Sequence, residues 1–442
     1  MLLIKNGYLL EPGSGYEGIA DIFIKADKIL KINWKAEEGE PNLSFFSTED
    51  IKQLQIIDGE GLYIAPGLVD VHVHFREPGF EYKEDISTGA LAAAKGGFTT
   101  VVLMANTKPT VDNEDTLRYV LEKGKQTSIR IESCASVSKG QQGKELVDFE
   151  ALLQAGAVGF TDDGMPLMDT ELLEKAMEAS ARLQVPLSLH EEDPSLITNN
   201  GIHQGKASEH FGIGGSPREA EISMVERDIK LALKTGALLN VQHISCKETV
   251  ELLRRAKALP GGDRLHGEAT PHHFTLTQEA LIRQGTMAKM NPPLREEEDR
   301  LAIIQGIKDG TLDLIATDHA PHSAEDKARE LTKAPSGILG LETALSLGIG
   351  ELVEKAGLPL MDLMIRMSYA PARLYDLDAG YIKEGGPADL VIFDPNELWR
   401  AEGFVSKSQN SPFLGKTMLG KVKKTICRGK VVYDEESRHM GK

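Results

Sequence analysis

His72 and His74 stand two residues apart where an apolar run, residues 64–73, gives way to a polar stretch, residues 75–79. An apolar run that ends in a Pro-Gly turn is typical of a buried strand whose carboxyl end opens into a site. On a strand this spacing places both imidazoles on one face. Two converging neutral imidazoles suit a divalent metal such as zinc, but two histidines bonded to backbone carbonyls beside a turn fit the spacing equally well.

Further clusters of polar residues follow strand-like runs along the rest of the chain. They cover residues 105–109, 161–164, 190–193, 242–245, 270–273 and 317–322. Eight of the twelve histidines lie in or next to such strand ends, which a random scatter of buried histidines would not produce. The clusters therefore favour one metal-dependent site to which several strands contribute.

The elements that must position these side chains alternate between strand and helix. Strand-like runs occupy residues 64–73, 99–104, 129–135, 157–160, 186–189, 237–242, 265–269 and 312–316. Helical patterns lie between them at residues 86–95, 114–124, 144–154, 170–183, 216–234, 247–258 and 297–309. This α/β alternation predicts a (β/α)8 TIM barrel. A doubly wound open sheet is the competing topology, but only a barrel gathers all the polar strand ends at one mouth.

Both ends of the chain are rich in short strands instead. Such runs lie at residues 2–4, 8–10, 21–25, 28–32, 54–58 and 388–393, with a hairpin at 421–433 around Gly429. Their apolar faces need covering, so we expect the two ends to meet. The sequence predicts a small β-sandwich domain built from residues 1–63 plus 376–442, and a barrel domain at residues 64–375.

Composition limits the classes of partner. The 442 residues carry a net charge of −17, with 41% hydrophobic and 26% charged residues, as in soluble globular proteins. An acidic surface argues against nucleic acid or an anionic membrane, although a metal and one or two arginines can still attract a small anionic substrate. Cys134, Cys246 and Cys427 lie far apart, which fits reduced thiols in the cytoplasm. We expect neither a signal peptide nor a membrane span.

The residues around the first and last barrel strands resemble those of dihydroorotases, the cyclic amidohydrolases of pyrimidine biosynthesis. The chain reads DVHVHFREPG at residues 70–79 and TDHAPH at residues 317–322, and the resemblance covers most of the chain. The His-x-His pair and the aspartate of the last strand are shared by the wider amidohydrolase superfamily. The FREPG extension, Asn106 and the DHAPH run point more narrowly to dihydroorotases.

The resemblance implies two Zn²⁺ ions per subunit at the barrel mouth. His72 and His74 would hold the more buried ion, His190 and His243 the second ion, and Asp318 would bind or lie beside the buried one. Such a site provides hydroxide near neutral pH. Asp318 would take the proton of the attacking water and return it to the ring nitrogen that leaves. A helix-capping role is the alternative for Asp318.

The residue that bridges the two ions is less clearly indicated. Many amidohydrolases use a carbamylated lysine, but here the fourth strand ends in Asp162-Asp163, as in the dihydroorotases that bridge with an aspartate. The spacing to His190 favours Asp163 over Asp162. Lys139, after the third strand, is a weaker alternative.

The resemblance also assigns residues to the substrate. Dihydroorotate carries a ring carboxylate, which Arg76 can bind in a bidentate way and Asn106 can bind with one hydrogen bond. A salt bridge to Glu77 or Glu81 is the alternative for Arg76.

Four more positions are expected to contact the ring. Asn291 and His322 match substrate contacts of the family, and the backbone near Ser336 and Gly337 is expected to face the ring. Dihydroorotases often have an aromatic residue where Ser336 stands, so this position departs from the family pattern.

The sequence therefore predicts a zinc-dependent dihydroorotase that interconverts N-carbamoyl-L-aspartate and L-dihydroorotate in the synthesis of UMP. The first alternative is allantoinase or dihydropyrimidinase, whose neutral rings need no carboxylate clamp. The second is an inactive homologue that serves as a scaffold for aspartate transcarbamoylase; inactive relatives usually lose metal ligands, which this chain keeps. We expect a cytoplasmic homodimer, with aspartate transcarbamoylase as a candidate partner.

Overall fold

The computed structural model describes residues 1–35, 43 and 51–437, so residues 36–42, 44–50 and 438–442 of the predicted terminal domain lie outside the described residues. In chain order the strands are β1 (Leu2–Glu11), β2 (Tyr16–Lys25), β3 (Lys28–Trp34), β4 (Gln55–Asp58), β5 (Tyr63–Pro66), β6 (Leu68–Val73), β7 (Phe98–Leu103), β8 (Arg130–Ala135), β9 (Gly159–Phe160), β10 (Pro186–Leu189), β11 (Leu238–Val241), β12 (Leu265–Ala269), β13 (Leu314–Ile315), β14 (Leu390–Arg400), β15 (Thr417–Cys427) and β16 (Lys430–Asp434).

The helices fill the connections of the barrel and cover its outside. They are α1 (Ile86–Lys95), α2 (Glu114–Gly124), α3 (Phe149–Ala155), α4 (Thr170–Leu183), α5 (Lys206–Phe211), α6 (Arg218–Thr235), α7 (Lys247–Lys257), α8 (Pro271–Thr275), α9 (Gln278–Gln284), α10 (Glu297–Asp309), α11 (Ala324–Lys327), α12 (Ala344–Leu347), α13 (Leu360–Met364) and α14 (Ala370–Leu374). π-Helical turns at Gly348–Lys355 and Ile365–Tyr369 extend α12 and join α13 to α14. Within the described ranges, no helix combines the length and the apolar character needed to cross a bilayer.

The predicted barrel is confirmed. Strands β6 to β13 form one parallel sheet in which each strand pairs with the next in the chain. A parallel bridge joins Val73 at the end of β6 to His319, shortly after β13, and His74 N–H donates to His319 O at 2.9 Å. The first and last strands therefore meet, and the open-sheet alternative is wrong.

The two chain ends also meet, as expected. Their strands form one branched mixed sheet with the order β16-β15-β14-β5-β1-β2-β3, and β4 lies beside β1. Strands β14, β15 and β16 are antiparallel neighbours, and β14 pairs with β5 in register Ile392 to Ile64. The C-terminal strand β14 is thus hydrogen-bonded to β5, which directly precedes the first barrel strand β6 in the chain.

The continuous strand predicted at residues 64–73 is wrong, because Gly67 divides it between the two sheets. β5 belongs to the terminal sheet, while β6 is the first barrel strand. Gly67 N–H donates to Asp389 O at 2.9 Å. A Cβ at Gly67 would lie 2.1 Å from Thr99 Oγ1, so only glycine allows the chain to cross so close to the neighbouring strand.

Helix caps and local bends account for the other differences in element bounds. The helix predicted at 144–154 begins only at Phe149, because the Asp148 side chain accepts a hydrogen bond from Ala151 N–H at 3.0 Å and caps it. The last strand of the barrel, predicted at 312–316, contains only two paired residues. By contrast, α1 matches its predicted bounds, and Asp85 and Thr88 form a capping box at its start.

Candidate active site

Four imidazoles surround one carboxylate at the carboxyl ends of β6, β9, β10 and β11. Oxygens of Asp163, three residues after β9, lie 3.5 Å from His72 Nε2 and 3.4 Å from His74 Nε2. The same carboxylate lies 3.6 Å from His190 Nδ1 and 3.4 Å from His243 Nε2. The five residues form two groups of three potential ligands that share Asp163, and within each group the potential ligand atoms lie within 4.8 Å of one another.

This cluster has the composition and the burial of a metal site. His72 is 0% exposed and Asp163 is 5% exposed. His72 Nε2, which faces the cluster, is buried without a hydrogen-bond partner among the described residues, which is rare for polar atoms in native proteins. Imidazoles with one shared carboxylate are a donor set that suits zinc and similar divalent ions. The residues present therefore fit a pair of such ions.

Asp162 and Lys139, the alternatives to Asp163, have other partners. Asp162 accepts hydrogen bonds from the N–H groups of Val137 at 2.8 Å and Ser138 at 3.2 Å, and also from the Ser138 hydroxyl. Lys139 forms an ion pair with Glu145, and its side chain is 56% exposed. Of the three candidates, the structure brings Asp163 into the cluster.

Asp318 adjoins the cluster from the last barrel strand. Its Oδ1 lies 3.0 Å from His74 Nε2 and 3.6 Å from His72 Nε2. Burial tends to raise the pKa of this carboxyl, but the hydrogen bond with His74 and the charge of His72 together hold the pKa below its usual range. The carboxylate is therefore ionised, and its Oδ1 is a hydrogen-bond acceptor at the edge of the cluster.

Three residues of the site have a left-handed backbone conformation. The φ angles are +64° at Arg76, +33° at His243 and +47° at Asp318. Such a conformation costs a non-glycine residue about 1–3 kcal/mol and is concentrated at functional sites. Around Asp318 it is held by hydrogen bonds on both sides, from His319 N–H to Thr317 Oγ1 at 3.1 Å and from Thr317 N–H to the buried Asp70 carboxylate at 3.2 Å.

A cavity of about 400 Å³ opens beside the cluster. Every residue predicted to contact a metal or the substrate lines it, except His72. The lining residues are His74, Arg76, Asn106, Asp163, Gly164, His190, Asn200, His243, Lys289, Asn291, Asp318, Ala320, His322, Thr332, Ala334, Pro335, Ser336 and Gly337. A larger cavity of about 970 Å³ lies at the edge of the terminal sheet near Gln55 and Tyr433, but the described residues that line it include no imidazole, so its size does not mark the reactive centre.

The Arg76 guanidinium has no acidic partner in the described part of the chain. Its Nε donates to Pro321 O at 3.3 Å, and its Nη2 lies 3.5 Å from His322 Nε2. Glu77, one of the proposed salt-bridge partners, instead accepts hydrogen bonds from Ile86 N–H at 3.0 Å and from Tyr119 OH at 2.7 Å. The salt-bridge alternative for Arg76 is therefore wrong, and its charge is free to attract an anion.

Asn106 touches two cluster residues as well as the cavity. Its Nδ2 donates to Asp163 Oδ2 at 3.2 Å, and its Oδ1 lies 2.9 Å from His74 Nδ1. When His74 donates its Nδ1–H to this oxygen, its Nε2 lone pair faces the cluster. Asn106 thus orients His74 in addition to any contact that it makes with a ligand.

Asn291 and His322 both line the cavity and have different partners. Asn291 Nδ2 lies 3.2 Å from His190 Nε2, and its Oδ1 is buried without a partner among the described residues. His322 Nε2 lies 2.7 Å from Ser336 O and His322 Nδ1 lies 3.4 Å from Lys83 Nζ. Burial, reinforced by the charges of Arg76 and Lys83, lowers the pKa of His322, so its imidazole is neutral and donates to Ser336 O.

Ser336 and Gly337 lie in an irregular segment at the cavity rim. Ser336 Oγ donates to Asn200 Oδ1 across the rim at 2.9 Å. Gly337 N–H donates to Lys289 O at 2.9 Å, so both polar backbone groups of Gly337 have partners within the protein. A Cβ at Gly337, where φ is +131°, would lie 2.7 Å from Ala320 Cβ.

Comparison with known proteins identifies the family. A family model described as Dihydro-orotase-like matches residues 61–249. A protein named dihydroorotase from Clostridioides difficile is 54% identical over 434 residues, which cover 98% of this chain and 100% of the relative. Proteins with the same name from Clostridium acetobutylicum and Streptococcus pneumoniae are each 48% identical, covering 99% and 98% of this chain and 100% of each relative.

The chain belongs to the dihydroorotase family. This confirms the resemblance found in the sequence.

Solved structures similar to this member of the dihydroorotase family share its fold. L-Hydantoinase (dihydropyrimidinase) from Arthrobacter aurescens superimposes with a TM-score of 0.84 at 26% identity, covering 98% of this chain and 96% of that chain. Dihydropyrimidinase from Brevibacillus agri superimposes with a TM-score of 0.82 at 23% identity, covering 98% of this chain and 95% of that chain. This second match shows a likeness of fold alone.

The sequence prediction missed the polar residues beneath the cluster of this dihydroorotase family member. Glu268, on β12 and 0% exposed, lies with Oε2 at 3.0 Å from His72 Nδ1 and accepts from Asn240 Nδ2 at 2.6 Å. Asn240 Nδ2 also lies 3.0 Å from Ser188 Oγ. Glu268 fixes the His72 tautomer that presents Nε2 to the cluster. The sequence did contain a signal for Glu268, because an acidic residue inside an apolar barrel strand needs a buried partner.

Replacing Glu268 by Gln is expected to weaken metal binding by about 10- to 100-fold, because an amide can no longer favour one His72 tautomer as a carboxylate does. Zinc affinity would be measured by competition with a chromogenic chelator. Glu122→Gln, at a side chain that is 58% exposed, is the control. If both variants bind zinc with the wild-type affinity, Glu268 does not orient His72 for metal binding.

Proposed function

We propose that this chain is a zinc-dependent dihydroorotase that interconverts N-carbamoyl-L-aspartate and L-dihydroorotate in pyrimidine biosynthesis. One observation carries the assignment of substrate: the Arg76 guanidinium, which has no acidic partner among the described residues, lines the cavity that adjoins both ligand groups. Relatives named dihydroorotase at 48–54% identity over nearly the whole chain support the same reaction.

The two ligand groups support a site for two Zn²⁺ ions. His72 and His74 would hold one ion, His190 and His243 the other, and Asp163 would contribute to both. When bound, the ions supply an activated water at neutral pH and Lewis-acid polarisation of a carbonyl oxygen.

The residues on the cavity side would hold the substrate by its carboxylate. Arg76 can donate two parallel hydrogen bonds to a carboxylate, and its left-handed backbone holds the side chain at the cavity. Asn291 Oδ1, which lacks a partner among the described residues, can accept from a ring N–H. His322, neutral because of its burial and the cations around it, adds a polar contact without adding charge.

Asp318 would carry the proton during ring opening. Its ionised Oδ1 accepts a proton from the attacking water as the new C–O bond forms at the ring carbonyl carbon. It then returns this proton to the ring nitrogen as the amide C–N bond breaks, because an amide nitrogen leaves poorly unless it is protonated. The reverse sequence closes the ring through the same transition state.

The alternative functions are supported less well. Hydantoinases and dihydropyrimidinases share the fold, but their neutral rings have no carboxylate for Arg76 to bind. An inactive scaffold would not need the cluster, yet this chain keeps four imidazoles, Asp163 and Asp318 within 4 Å of their neighbours.

An Arg76→Met variant is expected to lose about 2–5 kcal/mol of transition-state binding for L-dihydroorotate, so that kcat/KM falls by about 30-fold or more. Initial rates with L-dihydroorotate and dihydrouracil would be compared at equal zinc content. Activity on dihydrouracil would change little, because this ring carries no carboxylate. Arg329→Met, at a side chain that is 59% exposed, is the control. Equal losses on both rings would assign Arg76 a structural role.

The homodimer, the association with aspartate transcarbamoylase, the cytoplasmic location and the division at residues 63/64 and 375/376 stay predictions. Light scattering of the purified chain, alone and mixed with aspartate transcarbamoylase, tests the two predictions on assembly.

A further inference from the structure

The cavity rim includes an irregular segment, residues 331–337, which we call the cap segment. Five of its residues line the cavity: Thr332, Ala334, Pro335, Ser336 and Gly337. The segment has no helix or strand of its own, and only its first part is held by local turns, in which the N–H groups of Lys333 and Ala334 donate to Glu330 O at 2.8 Å. Residues 335–337 form no such turn, so contacts from outside the segment hold them in place.

Two buried lysines supply most of this attachment. Lys289 Nζ donates to Leu331 O at 2.9 Å and to Ala334 O at 2.8 Å. Lys327 Nζ donates to Pro335 O at 3.0 Å and to Gly337 O at 2.9 Å. Together they bind four of the seven carbonyl groups of the cap segment.

The two lysines are placed at an energetic cost. Lys289 is 3% exposed and Lys327 is 5% exposed, and among the described residues no carboxylate oxygen lies within 4.0 Å of either Nζ. Burial lowers the pKa of Lys289 to about 8, and burial together with the charge of Lys289 lowers the pKa of Lys327 to about 7. Buried ammonium groups paired only with carbonyls are a poor way to gain stability, which favours a role in the reaction.

The attached carbonyl groups connect directly to the substrate contacts. Ser336 O, between the two carbonyls bound by Lys327, accepts from the His322 imidazole at 2.7 Å. Lys289 also binds Gly337 through its own backbone oxygen, at 2.9 Å. A shift of the cap segment would therefore move His322 and the cavity wall together.

We propose that Lys289 and Lys327 are positioning residues for the ring-opening reaction, which hold the cap segment and His322 in the arrangement that receives the substrate. This inference rests on the proposed function. Neither lysine needs to touch the reacting atoms. Their contribution is preorganisation, because a misplacement of about 1 Å at a binding wall can cost about 100-fold in rate.

The test compares Lys289→Met and Lys327→Met with Lys333→Met, a control in the same segment whose side chain is 69% exposed. With L-dihydroorotate as substrate, we expect KM to rise about 10- to 100-fold in the first two variants, with the zinc content per chain unchanged and the control like the wild type. Trypsin should also cleave at Lys333 at least several times faster in these variants than in the wild type.

The outcomes separate the possible failures. A KM within twofold of the wild type in both folded methionine variants would overturn the inference, as would a loss of activity that only follows the loss of folded protein. If a methionine variant does not fold, the Lys289→Gln and Lys327→Gln variants take its place. Their terminal nitrogen lies one bond short of the Nζ position that now binds the carbonyl groups, and an unchanged KM there would equally overturn the inference. Failure of the wild type to open L-dihydroorotate would contradict the proposed function instead, and the trypsin rates would still test the attachment.

Discussion

Replacing Asp318 by Asn is expected to lower kcat for L-dihydroorotate by about 100- to 10,000-fold, the range that general acid–base catalysis contributes. Asn has the same shape as Asp and can keep the contact with His74, whose Nε2 now lies 3.0 Å from Asp318 Oδ1. It cannot accept the proton of the attacking water, and so it cannot return one to the ring nitrogen. Stopped-flow or steady-state rates in both directions would measure the effect.

The zinc content and KM of the Asp318→Asn variant distinguish a loss of chemistry from a loss of the site. We expect both to stay close to the wild-type values, because the two ligand groups do not require Asp318. Asp115→Asn, at a side chain that is 94% exposed, is the matched control. A kcat within tenfold of the wild type would contradict the assignment of the proton carrier.

Replacing Asp163 by Ala is expected to have the largest effect on the metals, because both ligand groups contain this carboxylate. Removing a residue that orients a ligand costs about 10- to 100-fold in metal affinity, so losing a shared ligand should cost at least about 100-fold for each ion. Four buried imidazoles would also lose the negative charge that lies 3.4–3.6 Å from them. Zinc per chain after dialysis against a weak chelator, and affinity by competition, would measure this loss.

Asp162→Ala provides a control one residue away. Asp162 accepts its hydrogen bonds from the backbone of residues 137 and 138, so its loss should lower the thermal stability and leave two zinc ions per chain. Equal zinc losses in both variants would mean that the damage to the loop after β9, and not the shared carboxylate, removes the metals.

The barrel and the cluster could be predicted because they follow from strand ends. His190 directly follows β10 and His243 lies two residues after β11, and parallel strands carry such residues to one edge of the sheet. The interruption at Gly67 could not be predicted, because it depends on a contact with Thr99 on a different strand. The same limit applies to Glu268, whose partner His72 is 196 residues away.

The sequence also could not predict which neighbours each side chain contacts. Asn106 was expected to contact the substrate carboxylate, and the structure shows that it also holds His74 and Asp163. The left-handed conformation of Arg76 and Asp318 could not be predicted either, because it is uncommon for non-glycine residues and no turn motif in the sequence marks it. Lys289 and Lys327, the buried lysines that hold the cap segment, gave no pattern in the sequence, because their partners are backbone carbonyls, which every residue has.

The most direct test of the account is the hydrolysis of L-dihydroorotate by the purified wild-type chain loaded with zinc, followed by the loss of ring absorbance. Hydantoin, dihydrouracil and allantoin would be measured in parallel under the same conditions. We expect rapid turnover of L-dihydroorotate and, from N-carbamoyl-L-aspartate, formation of the same ring, with little turnover of the three neutral rings. Preferred turnover of a neutral ring, or no turnover of L-dihydroorotate at full zinc content, would contradict it.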